Sequence, residues 1–151
     1  MAKVTQRDNT RNQSTVDITH SHVFMGNNRY QTASGILNDA EEDITLVSGM
    51  LVKSSTALGT QIAPFKEGDD IDALLGVLIM DGDADLANTA TLADVNYAIG
   101  GNVDETQLVT AEGDVIDADS FVSLSTVTYR HALQKLGFHL NAVVNNNKLD
   151  N

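Results

Sequence analysis

Three aspartates at alternate positions are the residues of this chain whose type and spacing most invite chemistry. Asp81, Asp83 and Asp85 offer the carboxylate oxygens that hard cations such as Ca²⁺ bind. An EF-hand loop that began at Asp81 would need glycine sixth and glutamate twelfth, where the chain has Leu86 and Leu92. A loop that began at Asp83 fails at its fifth position, which is an alanine. We therefore interpret the stretch as an acidic loop between two strands and leave a bound cation as an open alternative.

Two histidines form the second candidate for a metal site. His20 and His22 flank a serine, and on a strand this spacing places both imidazoles on one side. No third ligand stands near them in the sequence, because His131 and His139 are more than a hundred residues away. We therefore predict no metal and no cofactor.

Motifs for covalent catalysis and nucleotide binding are missing from the sequence. The chain has no cysteine, no Gly-x-Ser-x-Gly elbow, no phosphate-binding glycine loop and no dinucleotide fingerprint. Its 4 phenylalanines, 3 tyrosines and no tryptophan argue against a stacking platform for bases or sugars. We predict no catalytic residues and no enzyme activity, although a small hydrolase or isomerase remains a third hypothesis.

The charge of the chain is concentrated in its middle. The formal net charge is -12, and residues 39–119 hold 18 acids against two lysines, whereas both ends are weakly basic. Such a balance argues against binding to nucleic acid or to an anionic membrane. The sequence has no apolar signal-peptide core and no run long enough for a membrane helix, so we expect a soluble protein without a targeting segment.

Short apolar runs separated by glycine, asparagine and aspartate predict strands over most of the chain. Residues 1–15 are almost wholly polar and predict an arm, and residues 16–37 predict short extended pieces on a surface. Strands are predicted at 44–47, 50–52, 71–80, 89–99, 108–109 and 115–116, with Gly100 and Gly101 ending the 89–99 strand. A helix is predicted over about 126–136, ended by Gly137, and a final strand over about 138–144. The fold class is therefore mainly β, a small β-rich barrel or sandwich with one short C-terminal helix and an extended N-terminal arm.

Four stretches follow one another in a recognisable order. They are Val47-Ser48-Gly49-Met50-Leu51-Val52, Leu75-Gly76-Val77-Leu78 before an acidic turn, 91–105 with Leu108, and 132–140. In this order and spacing the chain, from about Ile44 to Leu140, resembles the head decoration (cement) proteins of tailed bacteriophages, of the phage lambda type. The resemblance implies a β-tulip-like domain at 41–151 and a capsid-binding arm at 1–40.

The resemblance also implies a structural role in the virion. It implies a homotrimer that binds the outer surface of the expanded capsid at threefold and quasi-threefold sites and clamps neighbouring major capsid proteins. The protein would be made in the host bacterial cytoplasm and end on the capsid exterior. The arm residues expected to take part are the basic Lys3, Arg7 and Arg11 and, by strand addition, Val16, Ile18, Val23 and Phe24. The alternative is a calcium-dependent adhesion or scaffold-binding module.

Overall fold

The computed structural model describes residues 23–55 and 60–142. Within them the backbone forms eight strands and one α-helix. The elements are β1 (Arg29–Leu37), β2 (Ile44–Leu46), β3 (Leu51–Ser54), β4 (Gln61–Pro64), β5 (Leu74–Ile79), β6 (Ala84–Leu86), β7 (Thr91–Asp104), α1 (Tyr129–Leu136) and β8 (Phe138–Asn141). Single turns of 3-10 helix cover Ile71–Ala73 and Glu105–Gln107. The prediction of a mainly β protein with one short C-terminal helix is confirmed.

Five of the strands close into a barrel. They pair in the order β1-β4-β3-β5-β7, and β7 pairs back with β1. Every pairing is antiparallel except that of β1 with β4. Strand β8 lies outside the closure and adds to β7 in parallel. Because closure removes most free edges, another chain could add a strand only at segments outside the ring.

Strand β1 is the element that the sequence analysis missed. It runs antiparallel to β7 from Arg29, opposite Gly100, to Leu37, opposite Thr91. A domain boundary at residue 40 is therefore wrong, since 29–37 closes the barrel instead of belonging to an arm. The strand was hidden because Gly35 resembles a break. In the structure Gly35 lets two strands approach closely: a Cβ there would lie 2.8 Å from Cγ2 of Thr91.

Strands β2 and β3 confirm the predicted pair with a tight break, but they enter different sheets. Strand β2 pairs with β6 in a separate two-stranded sheet, whereas β3 lies in the barrel. The break at Gly49 has a φ of +97°, and a Cβ there would collide with the carbonyl oxygen of Gln107. Beside it the Ser48 hydroxyl donates to the Met80 carbonyl at 2.8 Å and accepts the Met80 N–H at 2.7 Å.

Strand β5 is shorter than the predicted 71–80 strand. Its first three predicted residues form a 3-10 turn, because the Asp70 carboxylate accepts the Asp72 N–H at 3.0 Å and caps it. Gly76 lies within the strand, where a Cβ would collide with the Ala98 carbonyl oxygen of β7. Only glycine therefore permits this approach of β5 to β7.

The prediction that β7 ends at Gly100 and Gly101 is wrong. The strand continues through both glycines to Asp104. Gly101 has a φ of +122°, and Asn28 occupies the space where its Cβ would lie. Val95 and Tyr97 on this strand are buried, whereas Thr91 is exposed. The extra length lets one strand serve both the barrel and the C-terminal part of the domain.

The predicted helix and final strand are confirmed with shifted ends. Helix α1 begins at Tyr129, because the Thr128 hydroxyl accepts the His131 N–H at 3.2 Å as the N-cap. It ends at Gly137, whose φ of +105° is the left-handed C-cap conformation. Strand β8 ends at Asn141, and 143–144 lie outside the described residues.

Two apolar clusters fill the domain, and β7 contributes to both. One joins α1 and β8 to the barrel and includes Phe65, Leu133 and Phe138. The other fills the space between the barrel and the β2–β6 sheet and includes Ile36 and Leu46. Full burial of one such side chain contributes about 1.5–3 kcal/mol, so these clusters account for a large part of the stability.

Candidate docking surface

Most of the predicted arm residues lie outside the described part of the chain. The structure does not describe Lys3, Arg7, Arg11, Val16 or Ile18. It describes the last two residues expected to take part in strand addition, Val23 and Phe24, and places both on the domain.

Residues 23–25 already pair within this chain. Phe24 forms an antiparallel bridge with Val103; the Met25 N–H donates to the Asn102 carbonyl at 2.9 Å, and the Asp104 N–H donates to the Val23 carbonyl at 2.8 Å. In this antiparallel pattern the backbone N–H and carbonyl of Phe24 point away from β7. One side of the segment is thus occupied by β7, and strand addition by another protein is confined to the outer side.

Both ends of the described chain leave the domain at the same place. Val23, the first described residue, is bonded to Asp104 in an antiparallel arrangement, so the described chain begins at the Asp104 end of β7. Strand β8 pairs in parallel with the other side of β7, with Asn141 opposite Asp104, so the described chain ends there too. Neighbouring strands are about 4.8 Å apart, which puts the two exits roughly 10 Å from each other. We call this place the exit edge.

An exposed group of apolar side chains adjoins the exit edge. Met25 is 45% exposed and Tyr30 is 55% exposed. The half-buried Phe24 ring meets that of Tyr30 edge to face, with centroids 6.3 Å apart. We call these three residues the junction cluster. Exposed aromatic and methionine side chains of this kind are typical of protein contact surfaces.

A second exposed apolar group lies on the loops before α1, and the sequence analysis did not single it out. Val115 is 61% exposed, Phe121 is 66% exposed and Leu124 is 99% exposed. Val115 and Phe121 line one shallow depression and Leu124 lines another, and Ser123 belongs to both. We call these three residues the loop patch. The sequence does contain a signal for this patch: the apolar Phe121 and Leu124 lie within a serine-rich stretch that predicts neither a helix nor a strand.

The surroundings of the loop patch are acidic. Glu67, Asp114 and Asp117 line the depression beside Phe121, and Asp69 and Asp70 line the one beside Leu124. Among the described residues, no basic side chain lines either depression. Burial raises the pKa of Tyr129, and the negative charges of Glu67 and Glu112 add to that rise.

An ion-pair cluster connects the exit edge to the loop patch. The Arg130 guanidinium approaches Asp119 with Nε to Oδ1 at 2.6 Å and Glu105 with Nη1 to Oε2 at 2.8 Å. The bond from Arg130 holds the pKa of Asp119 below its usual range, and the bonds to Asp119 and Glu105 raise the pKa of Arg130. Glu105 follows the exit edge and Asp119 stands two residues before Phe121, so one arginine fixes the two surfaces relative to each other.

A second ion-pair cluster is structural. The Lys53 ammonium on β3 lies 2.7 Å from Asp69 Oδ2 and 3.0 Å from Asp39 Oδ2, and only 10% of its side chain is exposed. Burial acts to lower the pKa of Lys53, but the bonds to Asp69 and Asp39 outweigh it and the pKa is raised. The same Asp69 carboxylate accepts the Lys66 N–H at 2.7 Å. The cluster therefore ties two surface loops to the barrel.

The residues first considered for metal binding do not converge. In the ranges 23–55 and 60–142, no three His, Asp or Glu side chains are close enough together to hold a metal ion. Asp85 lies on β6, where its carboxylate accepts the Thr45 hydroxyl at 2.8 Å. His20 and His22 lie outside the described residues, and His131 and His139 are on α1 and β8.

A groove beside α1 combines apolar and titratable groups. It has a volume of about 260 Å³ and is lined by Asp72, His131 and Lys135 together with Leu74 and Leu136. This volume is below the roughly 300–1,000 Å³ of sites that enclose small molecules. The side chains that line this groove do not indicate any particular reaction.

Comparison of the chain with family models, with curated proteins and with solved structures finds no match in any of the three. The likeness to capsid decoration proteins therefore remains a prediction from the sequence.

Of the helices in the described ranges, none is long and apolar enough to cross a membrane.

Proposed function

We propose that this chain is a capsid decoration protein. In this proposal it binds the outer surface of the expanded phage capsid as a homotrimer at threefold and quasi-threefold sites, where it clamps neighbouring major capsid proteins. The observation that carries the proposal is the exit edge. The described chain begins at Val23, which is held on β7 next to the junction cluster, so an arm formed by residues 1–22 would start there, as an arm-mediated clamp requires.

The closed barrel supports separate roles for the domain and the arm. All five barrel strands pair within residues 29–104, so the ring does not depend on residues 1–22 for closure. An arm that becomes ordered on the capsid loses conformational entropy at that step, and this loss keeps each single contact weak. Three arms on one trimer then raise the avidity through effective concentration.

The charge of the domain suits an outward-facing position. The described residues carry 18 acids and five bases, and Lys53, Lys66 and Arg130 among those bases are already ion-paired. Particles covered by such domains repel one another, which opposes aggregation of virions.

Binding to capsids tests the proposal through the basic residues of the arm. We expect the triple variant Lys3→Gln, Arg7→Gln, Arg11→Gln to sediment with expanded capsids of the phage far less than the unchanged protein does. The matched control is Lys135→Gln, which removes an exposed base on α1 and is expected to bind normally. Lys135 is exposed, so its change should leave the melting temperature unchanged, and the melting temperature of the triple variant checks that its domain stays folded.

Two results would contradict the proposal. One is equal sedimentation of the triple variant and the unchanged protein. The other is that the unchanged protein does not bind expanded capsids at all. Light scattering of the isolated protein, without capsids, reports whether the 16.2 kDa chain forms the trimer.

A further inference from the structure

The loop patch has a feature that the proposed function does not use: exposed apolar side chains surrounded by acids. Phe121 and Leu124 expose most of their surface, and the depressions beside them contain five carboxylates. Two bases lie next to these residues and both are already paired: Lys53 with Asp69, one of the five, and Arg130 with Asp119 and Glu105. A ligand that fits must therefore combine positive charge with apolar surface.

We propose that, in the free protein, the loop patch is the docking site for residues 1–15 of the same chain. This segment carries Lys3, Arg7 and Arg11, and its only acid is Asp8. Arginine and lysine pair with carboxylates through their heads and cover apolar surface with their stems. An arginine can also stack on an exposed ring such as Phe121.

The connection between the exit edge and the loop patch is short. Val23 is bonded to Asp104, Glu105 pairs with Arg130, and the Arg130 N–H donates to the Ala118 carbonyl at 2.7 Å. Backbone and side-chain lengths along this route bound the distance from the exit to Phe121 at roughly 40 Å. Fifteen residues, the separation of Arg7 from residue 22, span up to about 50 Å when extended. The basic residues can therefore reach the patch of their own chain.

A second copy of the domain fits the patch less well than the arm does. The domain is strongly acidic, so two loop patches would approach each other with like charges, and such a contact is disfavoured. The tethered arm meets opposite charge instead, at the high effective concentration that a short linker provides. Attachment within one chain is the arrangement that both arguments favour.

A nitroxide label on the arm tests this docking in the isolated full-length protein. The chain has no cysteine, so Gln6→Cys provides a single labelling site. At low salt we expect NMR amide signals of Val115, Phe121 and Leu124 to lose intensity, while those of Thr45 and Asp85 in the β2–β6 sheet keep theirs. The loss should disappear in about 1 M salt, where the Debye length is about 3 Å.

Two variants and a mixing experiment complete the test. Phe121→Ala with Leu124→Ala should abolish the signal loss at Val115, whereas the matched control Met25→Ala, an exposed residue of the junction cluster, should leave it unchanged. Uniform loss over the whole domain, no loss, or loss that survives neutralisation of Lys3, Arg7 and Arg11 would overturn the proposal. So would signal loss in unlabelled chains mixed with labelled ones, because that result places the arm on another copy. No capsid takes part, so failure here leaves the proposed function standing.

Discussion

At the residue scale, three partly buried titratable groups respond to alkaline pH in the same direction. Burial raises the pKa of Tyr97, whose hydroxyl donates to Gln31 at 2.8 Å, and it raises that of Tyr129. The pKa of Lys53 is also raised, because its bonds to two aspartates outweigh burial. A group with a higher pKa in the folded state stabilises the fold below its unfolded pKa, and this contribution is lost as pH rises through the folded value.

We therefore expect the free energy of unfolding to fall as pH rises above about 10, the ordinary pKa range of tyrosine and lysine. Urea titrations between about pH 8 and pH 11 measure it, and phenolate absorbance reports the tyrosines. Tyr97→Phe removes one contributing group, so its stability should fall less steeply over the same range. A free energy of unfolding that stays constant to pH 11 would contradict this assignment.

At the element scale, the sequence predicts strands well where alternation or a continuous apolar run is long, and poorly where glycine lies inside a strand. The helix before Gly137 and the strands around Val52 and Val77 follow from local pattern and capping. In the sequence Gly35 and Gly101 resemble ends of strands, yet each lies within a strand. A neighbouring strand or side chain occupies the space where a Cβ would lie, so glycine is needed at both positions. Such approaches depend on residues distant in sequence, so local pattern cannot show them.

Gly76→Ala tests the close approach of β5 to β7. Its Cβ would collide with the Ala98 carbonyl, so the strands must separate, and overpacking of this kind costs about 1–3 kcal/mol. The matched control is Gly82→Ala, where a Cβ meets nothing within 4 Å and the change is expected to stay within about 0.5 kcal/mol. Urea unfolding midpoints compare the two. Equal stability of both variants would show that β5 and β7 do not approach as closely as the structure has it.

At the scale of the whole molecule, the described domain is strongly acidic, whereas residues 1–22, which precede Val23 at the exit edge, are weakly basic. The charge pattern is readable from sequence alone, because it needs only a count along the chain. The exit edge is not, since it follows from the register of residues 23–25 and β8 on the two sides of β7. The loop patch likewise escapes sequence reasoning, because its residues belong to irregular loops whose exposure only the fold decides.

Electron cryomicroscopy of expanded phage capsids, imaged with and without added protein, is the decisive test of capsid decoration. We predict additional trimeric density on the outer surface at the threefold and quasi-threefold positions, into which the barrel fits with its exit edge towards the capsid. Unchanged capsids at saturating protein, or density with the exit edge pointing away from the shell, would contradict it.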